Sequence, residues 1–291
     1  MSDARILERG YRRYDGPRLG HAHAVRSVIA HTLRRILGLR RPARTKVLPV
    51  MSIAFAYLPA IVFVGVIAVL GRFGAKTQAR TFVPRYSEYY GFIVSALVLF
   101  VAFVAPEALC PDRRSRVLSL YLASPLTRMT YLLSKAAAVF IVLLAVTVGP
   151  PLLLLLGLMS QSAGPDGPVA VLQVLLQILA AGVFLATLFT ALSMGVASLT
   201  DRRAVAAAAT VFLVIGAGVV AGTLVFALHG SEGFVVIAIV RSALELVRHI
   251  FGDRGELRGV GTPALIVGNL AWTLATAAIA VVRYRRLQVT R

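Results

Sequence analysis

The chain has 291 residues, 58% of them apolar and 15% charged, with a mean hydropathy of +0.81. A water-soluble protein of this length covers its surface with far more charge, so the soluble globular classes are excluded. A net charge of +19 in a soluble chain would point to nucleic acid. Here the basic residues flank apolar stretches, where they meet anionic headgroups, and no platform of interleaved aromatic and basic residues suggests a nucleic-acid partner.

In chain order, the first 20 residues lack the apolar core of a removable signal peptide, so targeting is expected from the first span itself. Residues 21–39 place Val25, Val28, Ile29, Leu33, Ile36 and Leu37 on one helical stripe, with Arg26, Arg34 and Arg35 available to the polar side. This pattern predicts an interfacial helix in a basic segment, 1–46. Crossing about 30 Å of hydrocarbon takes roughly 20 apolar residues with every amide bonded inside the helix. Six stretches meet that requirement, at 47–70, 90–110, 134–159, 169–199, 204–228 and 263–282. The first contains Pro49 and Pro59, which neighbouring helices or hydroxyl side chains can accommodate. The fourth is long enough to tilt and carries Gln173 and Gln177 near its start. Gly216, Gly218 and Gly222 in the fifth would permit close helix contact.

With the N-terminus placed inside, Lys and Arg number twelve in 1–46, five in 106–135, two in 201–203 and four in 283–291, against eight elsewhere. That asymmetry predicts a multi-pass protein of the cell membrane with both termini cytoplasmic, a six-span domain at 47–282 and a short basic tail at 283–291. Segment 231–258 then lies outside. Phe234, Ile237, Val240, Leu244 and Val247 approximate a helical repeat there, while Arg241, Glu245 and Arg248 interrupt any full span, so a re-entrant or interfacial helix is expected.

Loop 106–135, PEALCPDRRSRVLSLYLASPLTRMTYLLSK, is too long for a minimal turn. Arg113, Arg114 and Arg116 open a run of apolar residues broken at Ser124–Pro125, which predicts a short helix lying across the cytoplasmic face. Glu107 closes the second span. A carboxylate at that depth must be paired, hydrated or protonated, and Arg113 or Arg114 stands nearby in sequence.

On these residues the chain resembles an ABC-2-type transporter permease, the membrane subunit of an ATP-binding-cassette exporter. The matching pieces are Glu107, the basic group RRSRVL, the run LYLASPLTR and Lys135; the Gly-Thr approach usual in that family is replaced by Arg116-Val117-Leu118-Ser119. The resemblance covers the six-span plan, the amphipathic N-terminal helix and the apolar external insertion. It implies an all-α polytopic fold in which the loop is a coupling helix docked on a cytoplasmic ATPase. Arg113, Arg114, Leu118, Tyr121, Ser124, Pro125, Leu126 and Arg128 would form the coupling interface, with Glu107 a structural or gating residue. It also implies a second permease copy or a related permease, with membrane lipids as further partners. ATP and Mg would sit on the partner ATPase and no cofactor on this chain, which has no G-x-x-x-x-G-K-[ST] sequence. ATP-driven closure of two ATPases would then switch the side to which the paired bundles open.

The spans hold few polar residues, among them Ser95, Thr147, Thr187, Thr190, Ser193 and Asn269, a lining suited to a hydrophobic or amphiphilic cargo rather than a hydrated ion. Asn269 and Trp272 also fit helix packing and the outer interface. His21, His23, His31, His229 and His249 fall on opposite sides, so no metal site and no catalytic constellation is expected. Cys110 is the only cysteine, which rules out an internal disulfide. A non-transporting scaffold coupled to an ATPase, or an integral membrane enzyme, are the alternatives.

Overall fold

A computed structural model describes residues 19–39, 42–73, 83–227, 231–253, 255–257 and 259–286. Parts of the predicted basic tails, 1–18 and 287–291, and His229 lie outside the described residues. Within them the chain is all-α, without a strand. Six helices are long and apolar enough to cross a membrane: α2 (Ala43–Arg72), α3 (Tyr86–Phe103), α6 (Arg128–Ser160), α7 (Gly167–Leu199), α8 (Arg203–Gly222) and α10 (Thr262–Arg286). Four shorter helices complete the set: α1 (Gly20–Ile36), α4 (Cys110–Arg114), α5 (Leu118–Leu122) and α9 (Ile239–Ile250). This is a multi-span membrane protein.

The second span begins and ends earlier than the apolar run suggests. Pro106 has no N–H to continue the ladder, so α3 stops at Phe103 and the chain passes through a tight turn, Ala105–Ala108, into α4. Helix α6 instead starts earlier than expected, because Thr127 caps it: its side chain accepts from the Thr130 N–H, while its own N–H donates to Thr130 Oγ1 at 2.8 Å. Past Gly222, α8 closes in a wider π turn over Thr223–Ala227.

Lipid tails are as apolar as leucine, so close fit and interhelical hydrogen bonds, about 0.6 kcal/mol each on average, hold such a bundle together. Helix α7 packs between α6 and α10, and Thr147 Oγ1 donates across to the Gly182 carbonyl at 3.0 Å. Helix α2 lies at the edge against α3 and α6, with Leu48, Met51, Leu58 and Val62 exposed. Next to Pro59, the Tyr89 hydroxyl of α3 enters the α2 ladder, accepting from the Ala60 N–H at 3.1 Å and donating to the Ala56 carbonyl at 2.6 Å. On its other side Tyr57 crosses to α6 and donates to the Ala145 carbonyl at 2.9 Å. That crossing requires Gly149, since any Cβ there would overlap the Tyr57 hydroxyl.

Segment 231–258 forms a turn, Glu232–Ile237, and the twelve-residue α9, too short to span. Ile239, Ala243 and Val247 are buried against the bundle, and Phe251 packs on Tyr86 and Tyr90 with ring centroids 6.2 and 5.8 Å apart. The buried Glu245 accepts from the Leu257 N–H and from Arg248, both at 3.0 Å. Asn269 of α10 donates to Ser242 Oγ at 2.8 Å, as the packing reading of that residue expects. Helix α9 is thus a short helix packed on the bundle, as the charged interruptions led one to expect of a segment that does not span, with Glu245 and Ser242 tied down.

Candidate functional site

The end of the bundle opposite α9 gathers α1, α4, α5 and the last turn of α10. Arg128 at the start of α6 donates to the Arg285 carbonyl at 3.1 Å, which ties α5's neighbourhood to the C-terminal end of α10. Helix α1 packs against α6 and the 105–108 turn through Val28, Thr32 and Ile36, all buried. Arg26 and Arg34 stay exposed, as the stripe predicted.

Arg35 does not. Consecutive residues on a helix point about 100° apart, so with Arg34 outward Arg35 turns inward beside Ile36. There it forms an ion pair with Asp112 and lies 3.9 Å from Glu107. Asp112, 2% exposed, stands at the centre of the site. Its other carboxylate oxygen takes Lys135 Nζ at 2.6 Å and the Tyr131 hydroxyl at 2.7 Å. Lys135 is 0% exposed, with Nζ 5.5 and 5.4 Å from the Tyr121 and Tyr131 ring centres. Tyr284 of α10 stacks on Tyr131 at 6.1 Å.

Burial works against the Asp112 carboxylate. The charge of Lys135, the hydrogen bonds from Lys135 and Tyr131, and the charge of Arg35 outweigh it and hold this group below the usual carboxylate range. The cluster joins α1, α4, α6 and, through the ring stack, α10 at one buried point. An ammonium enclosed by a carboxylate and two ring faces is satisfied electrostatically, whereas removing one partner of such a buried pair costs about 3–5 kcal/mol.

The residues expected at a docking surface divide. Glu107 pairs with Arg35 and with Arg203 at the start of α8, partners distant in sequence. Arg113 turns into the bundle and donates to the Ser198 and Thr200 carbonyls, where α7 ends. Such carbonyls lack helical partners, so this guanidinium caps a helix and complements its dipole. Cys110 is buried beside the Ala197 and Thr200 carbonyls. Leu126 is buried, Ser124 donates to the Tyr121 carbonyl at 2.5 Å, and Leu118 and Tyr121 are half-buried against the main core.

Arg114 and Pro125 face outward, together with Arg116, Ser119 and Leu120. Helix α5 has no buried residue, and Leu120 is 73% exposed. Arg116 holds a positive φ of 53°, an uncommon conformation for a residue with a Cβ, and redirects the chain from α4 into α5. The result is a short outward element, basic and polar around Leu120, on a root fixed by Asp112.

Sequence reading passed over Asp112, Tyr131, Arg35 and Leu120 as site residues. Asp112 carried one signal: it is the sole acidic residue among the basic ones of 111–135. Among the described residues no group of His, Cys, Asp and Glu is arranged to hold a metal ion. Searches against protein-family models and against curated proteins return no match.

Proposed function

We propose that this chain is the membrane permease of an ABC-2-type exporter, moving a hydrophobic or amphiphilic cargo with ATP hydrolysed by a separate cytoplasmic ATPase. The observation that carries the reading is α5, an exposed helix with an outward leucine, built on a root that buries Asp112 and Lys135 against α1 and α6. A leucine held outward beside exposed arginines offers a soluble partner an apolar anchor with a basic rim, and a buried root passes a push on it into the spans.

In this reading the end bearing α1 and α5 is cytoplasmic, in agreement with the basic residues gathered there. The ATPase binds ATP and Mg, and closure of two ATPases moves α5 of each permease. Arg116, Leu120 and Pro125 meet the ATPase, while Arg113, Leu126 and Glu107 hold the element in place. A second permease copy or a related chain supplies the other wall of the cargo path.

The test is ATP-dependent association, in lipid bilayers, between the chain and a P-loop ATPase encoded beside it. Wild-type protein should bind. Leu120→Glu combined with Arg116→Glu should abolish binding without unfolding the chain, since both side chains face outward. Reversing Arg113 is a poor control because it uncaps α7. Failure to associate with any cellular ATPase would sink the reading.

A further inference from the structure

Two cavities share Arg35 and Arg203. One is an apolar groove of about 860 Å³ beside α2 and α8, walled by Leu48, Pro49, Phe103, Val211, Phe212 and Ile215, with Glu107 and the two arginines also in its lining. The other, about 460 Å³, adds Arg114, Ser115 and Asp201. The groove follows α8 from Arg203 to Ile215, a rise of about 18 Å, comparable with the roughly 15 Å of hydrocarbon in one leaflet. Phe212 is 80% exposed along it.

The described charges around the joined cavities are Arg35, Arg114 and Arg203 against Glu107 and Asp201, one positive charge in excess. Asp112, which pairs with Arg35 from outside both linings, brings Lys135 with it, so counting both leaves the excess at one. A single monoanionic phosphodiester neutralises the excess, and guanidinium groups favour phosphate oxygens through charge-assisted hydrogen bonds. A second copy of the chain could cover the apolar wall, whereas a lipid covers it with acyl chains and supplies the phosphate in the same molecule.

We infer that the joined cavities hold one anionic glycerophospholipid of the surrounding leaflet. Its phosphodiester lies among Arg35, Arg114 and Arg203, and its acyl chains run along α2 and α8. The inference stands whether or not the chain moves cargo.

The experiment reconstitutes the full chain in bilayers of phosphatidylglycerol and phosphatidylcholine in equal parts, then counts and identifies the retained lipids by native mass spectrometry. Wild-type protein should retain phosphatidylglycerol in preference. Arg203→Gln and Arg114→Gln should each cut that preference about fivefold, the effect of one basic residue near an anionic headgroup. Arg283→Gln, an exposed arginine of α10 outside both cavities, should leave it unchanged. Ala208→Trp fills the groove from an exposed position and leaves the arginines in place, so it should release the lipid even where an arginine variant folds poorly. Soluble glycerophosphoglycerol should fail to displace it. Equal losses in Arg283→Gln and Arg203→Gln, full retention in Ala208→Trp, displacement by the soluble headgroup, or a lipid-free dimer would each overturn the inference.

Discussion

Asp112 is one carboxylate serving three donors from two helices, Arg35 of α1 and Tyr131 and Lys135 of α6. Asp112→Asn removes the charge that compensates a fully buried ammonium, so it should lower stability in detergent by about 3–5 kcal/mol, read from thermal unfolding. Adding Lys135→Met should return a large part of that loss, because the uncompensated ammonium leaves with its partner. If the double variant is as unstable as the single, the cluster works by shape rather than charge. The pH dependence follows from the direction of the shift. The folded carboxyl is held below its ordinary range, so its stabilisation is complete above the unfolded pKa of about 3.9 and is lost as pH falls through the lower folded value. Melting temperature between pH 3 and 7 should therefore fall on the acid side more steeply in wild-type protein than in Asp112→Asn.

At the scale of elements, the α2–α6 contact depends on what is missing at position 149. Gly149→Ala places a methyl against the Tyr57 hydroxyl and should cost about 1–3 kcal/mol by overpacking, whereas Gly216→Ala, with open space around its site on α8, should not. Thermal unfolding of the two variants compares them directly. The same scale explains what sequence could and could not place. The stripe Val28–Ile36 announced α1, and the charged interruptions at Arg241, Glu245 and Arg248 announced that α9 does not span. Periodicity gave no partner for Glu107, because Arg35 and Arg203 are 72 residues before it and 96 after it in sequence. Nor could it separate Arg113 from Arg114: both are basic and adjacent, and only the position of the α7 terminus turns one inward to its carbonyls and leaves the other in solvent.

For the whole molecule, Arg128 meets Arg285 at one end of α10 and His249 meets Thr262 at the other, with Nδ1 and Oγ1 2.7 Å apart. From Thr262 to Arg285 α10 rises about 35 Å at 1.5 Å per residue, enough to cross the hydrocarbon. Leu120→Cys and Glu256→Cys, each in a Cys110→Ser background, should thus react with an impermeant maleimide from opposite sides of sealed vesicles. Labelling of both from one side would overturn the six-span arrangement. The six long apolar helices, and the shortness of α1 and α9, were legible in sequence alone, because hydrocarbon thickness and the need to bond every amide leave a long apolar run one solution. The biased placement of Lys and Arg likewise set the expected orientation. The tertiary structure decided which polar groups meet, drawing Arg35, Asp112 and Lys135 into one buried cluster and leaving Leu120 exposed. Low dielectric makes an unpaired charge too costly to bury, so partners are chosen by proximity in the packed bundle, which spacing along the chain does not encode.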